Sequence, residues 1–155
     1  MEITSKAFVD KGKIPLQYVM PGAGGKNISL PLSWSEVPPG AKSLALSMVD
    51  PHPVARNWVH WLIINLPPAC QGLEAGASPM AMPAGAQELK NSFGNLGYGG
   101  PQPPQGTGDH PYVITLYALN VAHLDLPPDT SLEAFRTALE GKILATSTLT
   151  GMFGR

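Results

Sequence analysis

The sequence predicts a β-rich domain with one helix near its C-terminus, and three observations support this prediction. First, the 155 residues include 17 glycines and 17 prolines. Both residue types disfavour long helices, because glycine is flexible and proline lacks an N–H donor. Second, several short apolar segments have the length and pattern of strands. Third, hydrophobic residues make up 43% of the chain, which is enough to form a core at this length. We therefore expect a single domain over residues 1–155.

Four segments are predicted as strands. Residues 30–34 contain Pro31, which predicts an edge strand, because an edge tolerates the missing donor. Residues 43–49 alternate between apolar and small side chains, and this period of two predicts a half-buried strand. Residues 58–66 are almost entirely apolar, which predicts a central strand covered on both faces. Residues 112–119 are rich in β-branched and aromatic side chains, which favour strands.

One helix is predicted near the C-terminus. Thr130 and Glu133 have the spacing of a capping box, in which a hydroxyl and a carboxylate satisfy the first N–H groups of a helix. Apolar residues follow at helical spacing as far as Leu139, and Gly141 suits the position just beyond a helix end. Residues 143–149 fit either a strand or a short helix.

The charge and composition argue against several kinds of partner and location. Ten Lys and Arg are set against eleven Asp and Glu, so the chain lacks the basic excess that nucleic-acid backbones or anionic membranes attract. The sequence has no apolar run of about 20 residues, so we expect no stable membrane insertion. The N-terminal residues lack the pattern of a signal peptide, and Cys70 has no second cysteine to pair with. We therefore expect a cytoplasmic protein that binds no nucleic acid.

The residues with the clearest chemical potential lie at the ends of predicted strands. Asp50 follows the strand at 43–49, whereas Trp58 and His60 open the next strand. Trp58 and His60 are two residues apart, so they share a face of the strand. His110 and Tyr112 have the same spacing where the predicted strand at 112–119 begins. These side chains therefore form a candidate site at one end of the sheet.

A loop of unusual composition precedes His110. Residues 98–109 are dense in glycine and proline, so the loop has free N–H groups at its glycines and a stiff path at its prolines. A backbone of this kind can cradle an anion. The sequence therefore favours binding of a small anion, and we expect no catalytic residue.

Other chemistries match the sequence poorly. Zinc ligation by Asp50, His52 and His60 is conceivable, but their spacing matches no common ligand pattern. The chain has no nucleophile elbow, no P-loop and no dinucleotide-binding glycine motif after a strand. We therefore expect no metal and no cofactor. A weak phosphoester hydrolase that uses the Asp and His side chains remains an alternative.

Several ordered motifs over nearly the whole chain make it resemble a known family. The motifs are Asn27-Ile28-Ser29, Leu32-Ser33-Trp34, Val37-Pro38, Asp50-Pro51, His60-Trp61, Asn65, Phe93-Gly94, Gly97-Tyr98, Gly100-Pro101, Pro103-Pro104, Gly106-Thr107-Gly108, His110, Tyr112 and the tail at 149–155. In this order they resemble the phosphatidylethanolamine-binding proteins, the family that includes Raf kinase inhibitor protein. The tail is similar to that of the short prokaryotic members.

The resemblance implies a fold and a site. The implied fold is a central antiparallel sheet packed on a second, smaller sheet, with short helices. The implied site is a pocket at one end of the central sheet that binds phosphate-bearing groups such as phosphorylethanolamine or a phospholipid head group. Carried over to this sequence, the pocket residues are Asp50, Trp58, His60, Pro104, His110 and Tyr112, with backbone from Gly100 and Gln102. The resemblance also implies a kinase or peptidase as an alternative protein partner, and a homodimer.

The chain departs from the family pattern at three positions. His52 stands where the family usually has a second acid, and Pro111 stands where it usually has an arginine. Phe153 stands where a tyrosine is common, so this position offers no hydroxyl. Our hypothesis is that the changes at His52 and Pro111 are coupled, because an acid and an arginine would form an ion pair.

Overall fold

The computed structural model describes residues 1–155, and it arranges eight strands in two antiparallel sheets. The elements are β1 (Glu2–Thr4), β2 (Leu32–Ser35), β3 (Ser43–Asp50), β4 (Trp58–Leu66), β5 (Gly72–Leu73), β6 (Gln87–Glu88), β7 (His110–Leu119), α1 (Leu132–Leu139) and β8 (Ile143–Phe153). Two short 3₁₀ helices cover Leu16–Tyr18 and Pro21–Ala23. The smaller sheet has the order β1-β2-β5, and the larger sheet has the order β6-β4-β3-β7-β8. The predicted fold class is confirmed: two antiparallel sheets, and a helix near the C-terminus.

The larger sheet has a buried core on each of its faces. One core lies between the two sheets and contains side chains of both, such as Trp34 from β2 and Trp61 from β4. The other core lies on the opposite face, where Phe135 and Leu139 of α1 pack against Ile64. Because β4 is covered on both faces, its nearly continuous apolar sequence is explained, and this prediction is confirmed.

Strand β3 differs from its prediction as a half-buried strand. All eight of its residues are buried. Its large side chains face the inter-sheet core, whereas Ala45 belongs to the core under α1. Ser43 Oγ donates to the Val121 carbonyl, and Ser47 Oγ lies 3.4 Å from the Tyr117 hydroxyl. Small side chains on this face therefore indicate close packing under other elements, because a buried serine only needs a hydrogen-bond partner.

Two further local predictions are corrected. Strand β2 lies in the middle of the smaller sheet, between β1 and β5, and begins after Pro31; the proline therefore never needs an edge position. The helix begins at Leu132, and Ser131 is its N-cap, with Oγ accepting from the Ala134 N–H at 3.1 Å. Thr130 instead donates its hydroxyl to the Pro127 carbonyl. Both corrections shift an element boundary by one or two residues and leave the element in place.

The C-terminal segment forms a long strand. Residues 143–149, for which the sequence fitted either state, lie within the 11-residue strand β8 at an edge of the larger sheet. Strand β8 pairs with β7 from Leu119↔Ile143 to His110↔Phe153. The start of β7 therefore lies beside the end of β8. In this structure no helix combines the length and the apolar character that crossing a bilayer requires.

Candidate binding pocket

One end of the larger sheet opens into a cavity of about 280 Å³. It lies where β3 ends and where β4 and β7 begin. The residues that line it are Asp50, Val54, Ala55, Trp58, His60, Phe93, Gln102, Pro103, Pro104, His110 and Tyr112. Seven of the eight residues predicted for the site are in this set, and Gly100 is the exception. The cavity is slightly smaller than the usual size range of small-molecule sites, so it can enclose only a small group.

A β-bulge places His60 in the wall of the cavity. Met48 pairs with Trp61 and Val49 pairs with Val59, so β4 has one extra residue at His60. Bulges of this kind redirect a side chain and are common beside functional sites. His60 is 3% exposed, and its Nδ1 lies 2.6 Å from the Gly99 carbonyl. Because a carbonyl only accepts, Nδ1 carries the proton, and Nε2 of the neutral ring is an acceptor.

His60 is neutral over most of the accessible pH range. Burial lowers its pKa from 6.5 to about 4, and this effect outweighs the Gly99 carbonyl and the negative charge of Asp50, which both raise the pKa. Nε2 makes no hydrogen bond to the protein, yet no fully buried polar side-chain atom lacks a partner. Since His60 lines the cavity, Nε2 must open to it. The cavity therefore contains one unpaired acceptor from a neutral imidazole.

Asp50 and His110 form a buried pair next to His60. His110 Nδ1 donates to Asp50 Oδ2 at 2.6 Å, and the two residues are almost fully buried. The other oxygen, Oδ1, accepts from the His52 N–H at 2.9 Å. Asp50 therefore fixes the ring orientation of His110, as a carboxylate bonded to an imidazole N–H does. Both of its oxygens are already used by the protein.

The protonation of His110 Nε2 is linked to the orientation of the Thr107 hydroxyl. The Thr107 hydroxyl lies 2.7 Å from the Pro104 carbonyl and 2.8 Å from His110 Nε2. One hydroxyl proton cannot serve both partners. If it goes to Pro104, then Nε2 must carry its own proton, and His110 is an imidazolium paired with Asp50. If it goes to Nε2, His110 is neutral. Rotation of one hydroxyl is therefore linked to the charge of the pocket.

The ring of His52 stacks on the ring of His110. The two rings are 3.8 Å apart between centroids and only 8° from parallel. His52 Nδ1 accepts from the Val54 N–H at 3.1 Å, so this ring presents a lone pair to its own loop. At the position where the family usually has a second acid, this chain therefore has an aromatic ring that stacks on His110. Pro111 is the next residue after His110 and pairs with Met152 of β8, so both departures from the family pattern are adjacent to His110.

Tyr112 supplies a hydroxyl to the cavity. Its ring packs edge-on against His60, with centroids 5.0 Å apart. Burial, and then the charge of Asp50, raise the pKa of Tyr112 well above its ordinary value of 10.0. The hydroxyl therefore stays protonated and can donate. It makes no hydrogen bond to the protein, and since no enclosed polar atom is unpaired, it is open to the cavity.

Aromatic and proline side chains form the apolar part of the wall. Trp58 is 39% exposed at the mouth, and its ring meets Phe93 edge-on at 5.4 Å. Phe93 also packs against His60 at 5.8 Å. Pro103 and Pro104 form the opposite side. A ligand in this cavity therefore meets polar atoms at the base and apolar groups at the mouth.

Gly100 has a role other than the predicted one. Its N–H donates to Asn27 Oδ1 at 2.7 Å and is not available to a ligand. A Cβ at this position would come within 2.3 Å of the Tyr18 carbonyl, so only glycine allows the loop to pass this close. The Gln102 N–H, which was also predicted to face the ligand, donates to no protein atom. The expected backbone donor is therefore free at Gln102 and occupied at Gly100.

Sequence reasoning did not predict Thr107 or the lining residues Phe93, Val54, Ala55 and Pro103 as parts of the site. Thr107 stands three residues before His110 within a glycine-rich motif, and this spacing was the one signal for it. Asp50, His52 and His60 do not form a metal site, since the structure has no group of three or more His, Cys, Asp or Glu side chains arranged to hold a metal ion.

Comparisons with known proteins find relatives over the whole chain. A family model described as phosphatidylethanolamine-binding protein matches residues 4–154. A UPF0098 protein of Methanothermobacter thermautotrophicus is 43% identical over 156 residues, which cover 100% of this chain and 99% of that protein. LppC of Mycobacterium tuberculosis, which is provisionally named a lipoprotein, is 39% identical, with 97% of this chain and 73% of that protein covered. The crystal structure of Escherichia coli YbcL, described as a new member of the mammalian PEBP family, has a TM-score of 0.92 and 29% identity, with 99% of this chain and 98% of that chain covered.

The depressed pKa of His60 predicts a loss of stability in mild acid. The folded pKa, about 4, is below the ordinary value of 6.5, so the fold favours the neutral ring. Its contribution is complete above pH 6.5 and is lost as the pH falls towards 4, by up to about 3 kcal/mol. Urea unfolding across this pH range measures the loss, and His60→Gln should flatten it. An NMR titration in which His60 protonates near pH 6.5 would contradict the prediction.

His52 stacks on His110 and Pro111 follows it in the chain, so the coupling of these two positions can be tested. The substitutions His52→Asp and Pro111→Arg are made singly and together, and unfolding free energies are measured. If the pair is coupled, His52→Asp alone destabilises by placing a second carboxylate near Asp50, and Pro111→Arg offsets part of that loss. We expect an interaction free energy of about 0.5–3 kcal/mol, as for residues in one network. Additive effects would refute the coupling.

Proposed function

The chain belongs to the phosphatidylethanolamine-binding protein family, and from this premise we propose that its cavity binds a phosphate monoester with a small head group, without catalysis. One observation supports the proposal above all: three polar groups that belong to residues lining the cavity have no hydrogen-bond partner in the protein. They are the Tyr112 hydroxyl, the Gln102 N–H and His60 Nε2. The first two donate, as an anion requires.

The third group makes binding dependent on a proton. A lone pair on a neutral His60 would repel a fully ionised phosphate. It would accept a hydrogen bond from a monoanionic phosphate, whose second pKa is about 6. Alternatively, the bound anion raises the pKa of His60 so that the ring takes up the proton. In both cases the complex holds one proton more than the free components at neutral pH, and the affinity increases as the pH falls.

The mouth of the cavity suits a small cationic group on the ligand. Trp58 is partly exposed there, and an indole face attracts an ammonium ion. Asp50 lies at the base and adds negative charge, but its oxygens are taken by His52 and His110. A zwitterion such as phosphorylethanolamine, with phosphate at the base and ammonium at the mouth, therefore matches the two ends of the cavity. A free head group and a phospholipid head group share this chemistry.

Partner and location are proposed on narrower grounds. Regulation of a kinase or peptidase, and a homodimer, rest on the family resemblance alone. A cytoplasmic location is supported by the unpaired thiol of Cys70, which suits a reducing compartment. Cell fractionation is the direct test of location, because the relative LppC is named a lipoprotein.

A phosphoester hydrolase is the second candidate, and one observation favours it. Asp50, His110 and Thr107 are hydrogen-bonded in series, which is the order of a carboxylate, a base and a hydroxyl nucleophile. However, Thr107 is not among the residues that line the cavity, and its hydroxyl also contacts the Pro104 carbonyl. We therefore retain binding as the proposed function.

The binding proposal is tested by NMR titration of labelled protein with phosphorylethanolamine at about pH 6 and pH 7.5, on either side of the second phosphate pKa. We expect saturable shifts at His60 and at the Gln102 amide, with the higher affinity at the lower pH. Tyr112→Phe removes one donor to a charged group and should weaken binding by about tenfold or more. Tyr117→Phe is the matched control, because it removes a hydroxyl from the same strand on the opposite core.

The tyrosine variants, together with variants of the hydrogen-bonded series, distinguish ligand binding from phosphoester hydrolysis. Absence of shifts at millimolar ligand, or equal losses in both tyrosine variants, would rule out binding by this cavity. Phosphoester turnover that is abolished by Thr107→Val and by His110→Gln would establish the hydrolase in its place. Binding to vesicles that contain phosphatidylethanolamine, compared with free phosphorylethanolamine, distinguishes a lipid from a soluble source of the head group.

A further inference from the structure

The cavity has a deficit of positive charge for an anion site. Its lining contains the carboxylate of Asp50 and no lysine or arginine. His60 is neutral, with a pKa of about 4, and any charge on His110 is balanced by Asp50 at 2.6 Å. The lining therefore offers hydrogen-bond donors without a net positive field. A phosphate would need a cation behind the wall to make the site favour anions.

Arg155 lies directly behind that wall. Its Nε donates to the Pro103 carbonyl at 2.7 Å, and its Nη1 donates to the Gly22 carbonyl at 2.9 Å. Its main-chain oxygen accepts from the Gly106 N–H at 3.0 Å. Arg155 thus holds the loop that carries Pro103 and Pro104 at two points, and ties it to the segment around Gly22.

The charge of Arg155 is not neutralised by an acidic side chain. Both acceptors of its guanidinium are neutral carbonyls, and it takes part in no salt bridge. Two of its three nitrogens are occupied, so Nη2 keeps its donors. The field of this charge reaches the site, because Arg155 lowers the pKa of Tyr112 against the larger effects of burial and Asp50. The bond to the Pro103 carbonyl is the geometric observation that places this charge beside the cavity.

We propose that Arg155 is the residue that makes this cavity selective for anions, by placing an unpaired positive charge behind the Pro103 wall while its guanidinium holds that wall. This inference rests on the proposed function, which is binding of a phosphate monoester in the cavity, and it identifies the residue that makes the cavity prefer anions. Arg155 acts through the wall and through its field, so it is a positioning residue. Its expected effect on ligands is graded by charge: large for a phosphate monoester and small for an uncharged ligand of similar size.

The test separates the charge of Arg155 from its structural contacts. Arg155→Gln removes the charge, whereas Arg155→Lys keeps the charge and loses the fork that bonds two carbonyls. Lys42→Gln is the matched control, because it removes a positive charge far from the cavity. The Lys42 N–H donates to the Leu119 carbonyl at the other end of β7, and the length of this strand places Leu119 about 30 Å from His110. Affinity for phosphorylethanolamine is measured at about 20 and 200 mM salt, since screening weakens exposed charges.

We expect Arg155→Gln to weaken binding at low salt by about tenfold and to lose most of the salt dependence. Arg155→Lys should retain most of the affinity and its salt dependence, and Lys42→Gln should behave as the unsubstituted protein. Dispersed amide spectra establish that each variant is folded.

Three results would overturn the inference. Unchanged affinity in Arg155→Gln refutes the role of Arg155 while the binding function stands. Equal losses in Arg155→Gln and Arg155→Lys, with salt dependence intact, identify a structural clamp without an electrostatic role. If the unsubstituted protein fails to bind phosphorylethanolamine at all, the proposed function fails and this inference fails with it.

Discussion

Every buried polar side-chain atom in this protein has a hydrogen-bond partner, and the construction of the pocket end of the larger sheet depends on this requirement. Asp50 is 2% exposed, and a buried carboxylate with no partner would cost several kcal/mol. Its two oxygens are satisfied by His110 and by the His52 N–H. His110 in turn needs Thr107, and Thr107 is held near Pro104. The strand ends and the glycine-rich loop are thus fixed by one chain of obligatory contacts, and the cavity is formed before any ligand arrives.

The sequence was most informative where burial is complete and least informative where several partners compete. Strand β4 could be predicted because both of its faces are covered, so an apolar run was the sole pattern it could have. Strand β3 was misjudged because serine and alanine look polar or neutral in sequence, whereas here they allow Tyr117 and α1 to pack closely. The N-cap was assigned to Thr130 because two adjacent hydroxyl residues fit the same signal. Ser131 makes the bond to the helix, and Thr130 bonds to the preceding turn.

Within the site, the sequence identified the side chains at strand ends and missed those that arrive from elsewhere. The predictable side chains were those of Asp50, His60, His110 and Tyr112. They stand at the ends of apolar strands, where a buried polar group requires a hydrogen-bond partner or a ligand. Phe93 lines the cavity and Arg155 bonds to the Pro103 carbonyl behind its lining. Neither could be found in this way, since each lies in a segment with no periodic pattern. Gly100 was assigned a ligand-binding N–H because the packing of Asn27 and Tyr18 around it is visible only in the folded chain.

The bonds that build the cavity have a consequence for how the protein folds. They join residues far apart along the chain: 60 residues separate Asp50 from His110, and 133 separate Gly22 from Arg155. Closing such loops carries an entropic cost before any contact repays it, and chains dominated by distant pairings fold slowly. We therefore expect the cavity to form late in folding, when both ends of the chain have docked. A chain in which these segments have not docked lacks part of the cavity wall, so binding at the proposed site would report that folding is complete.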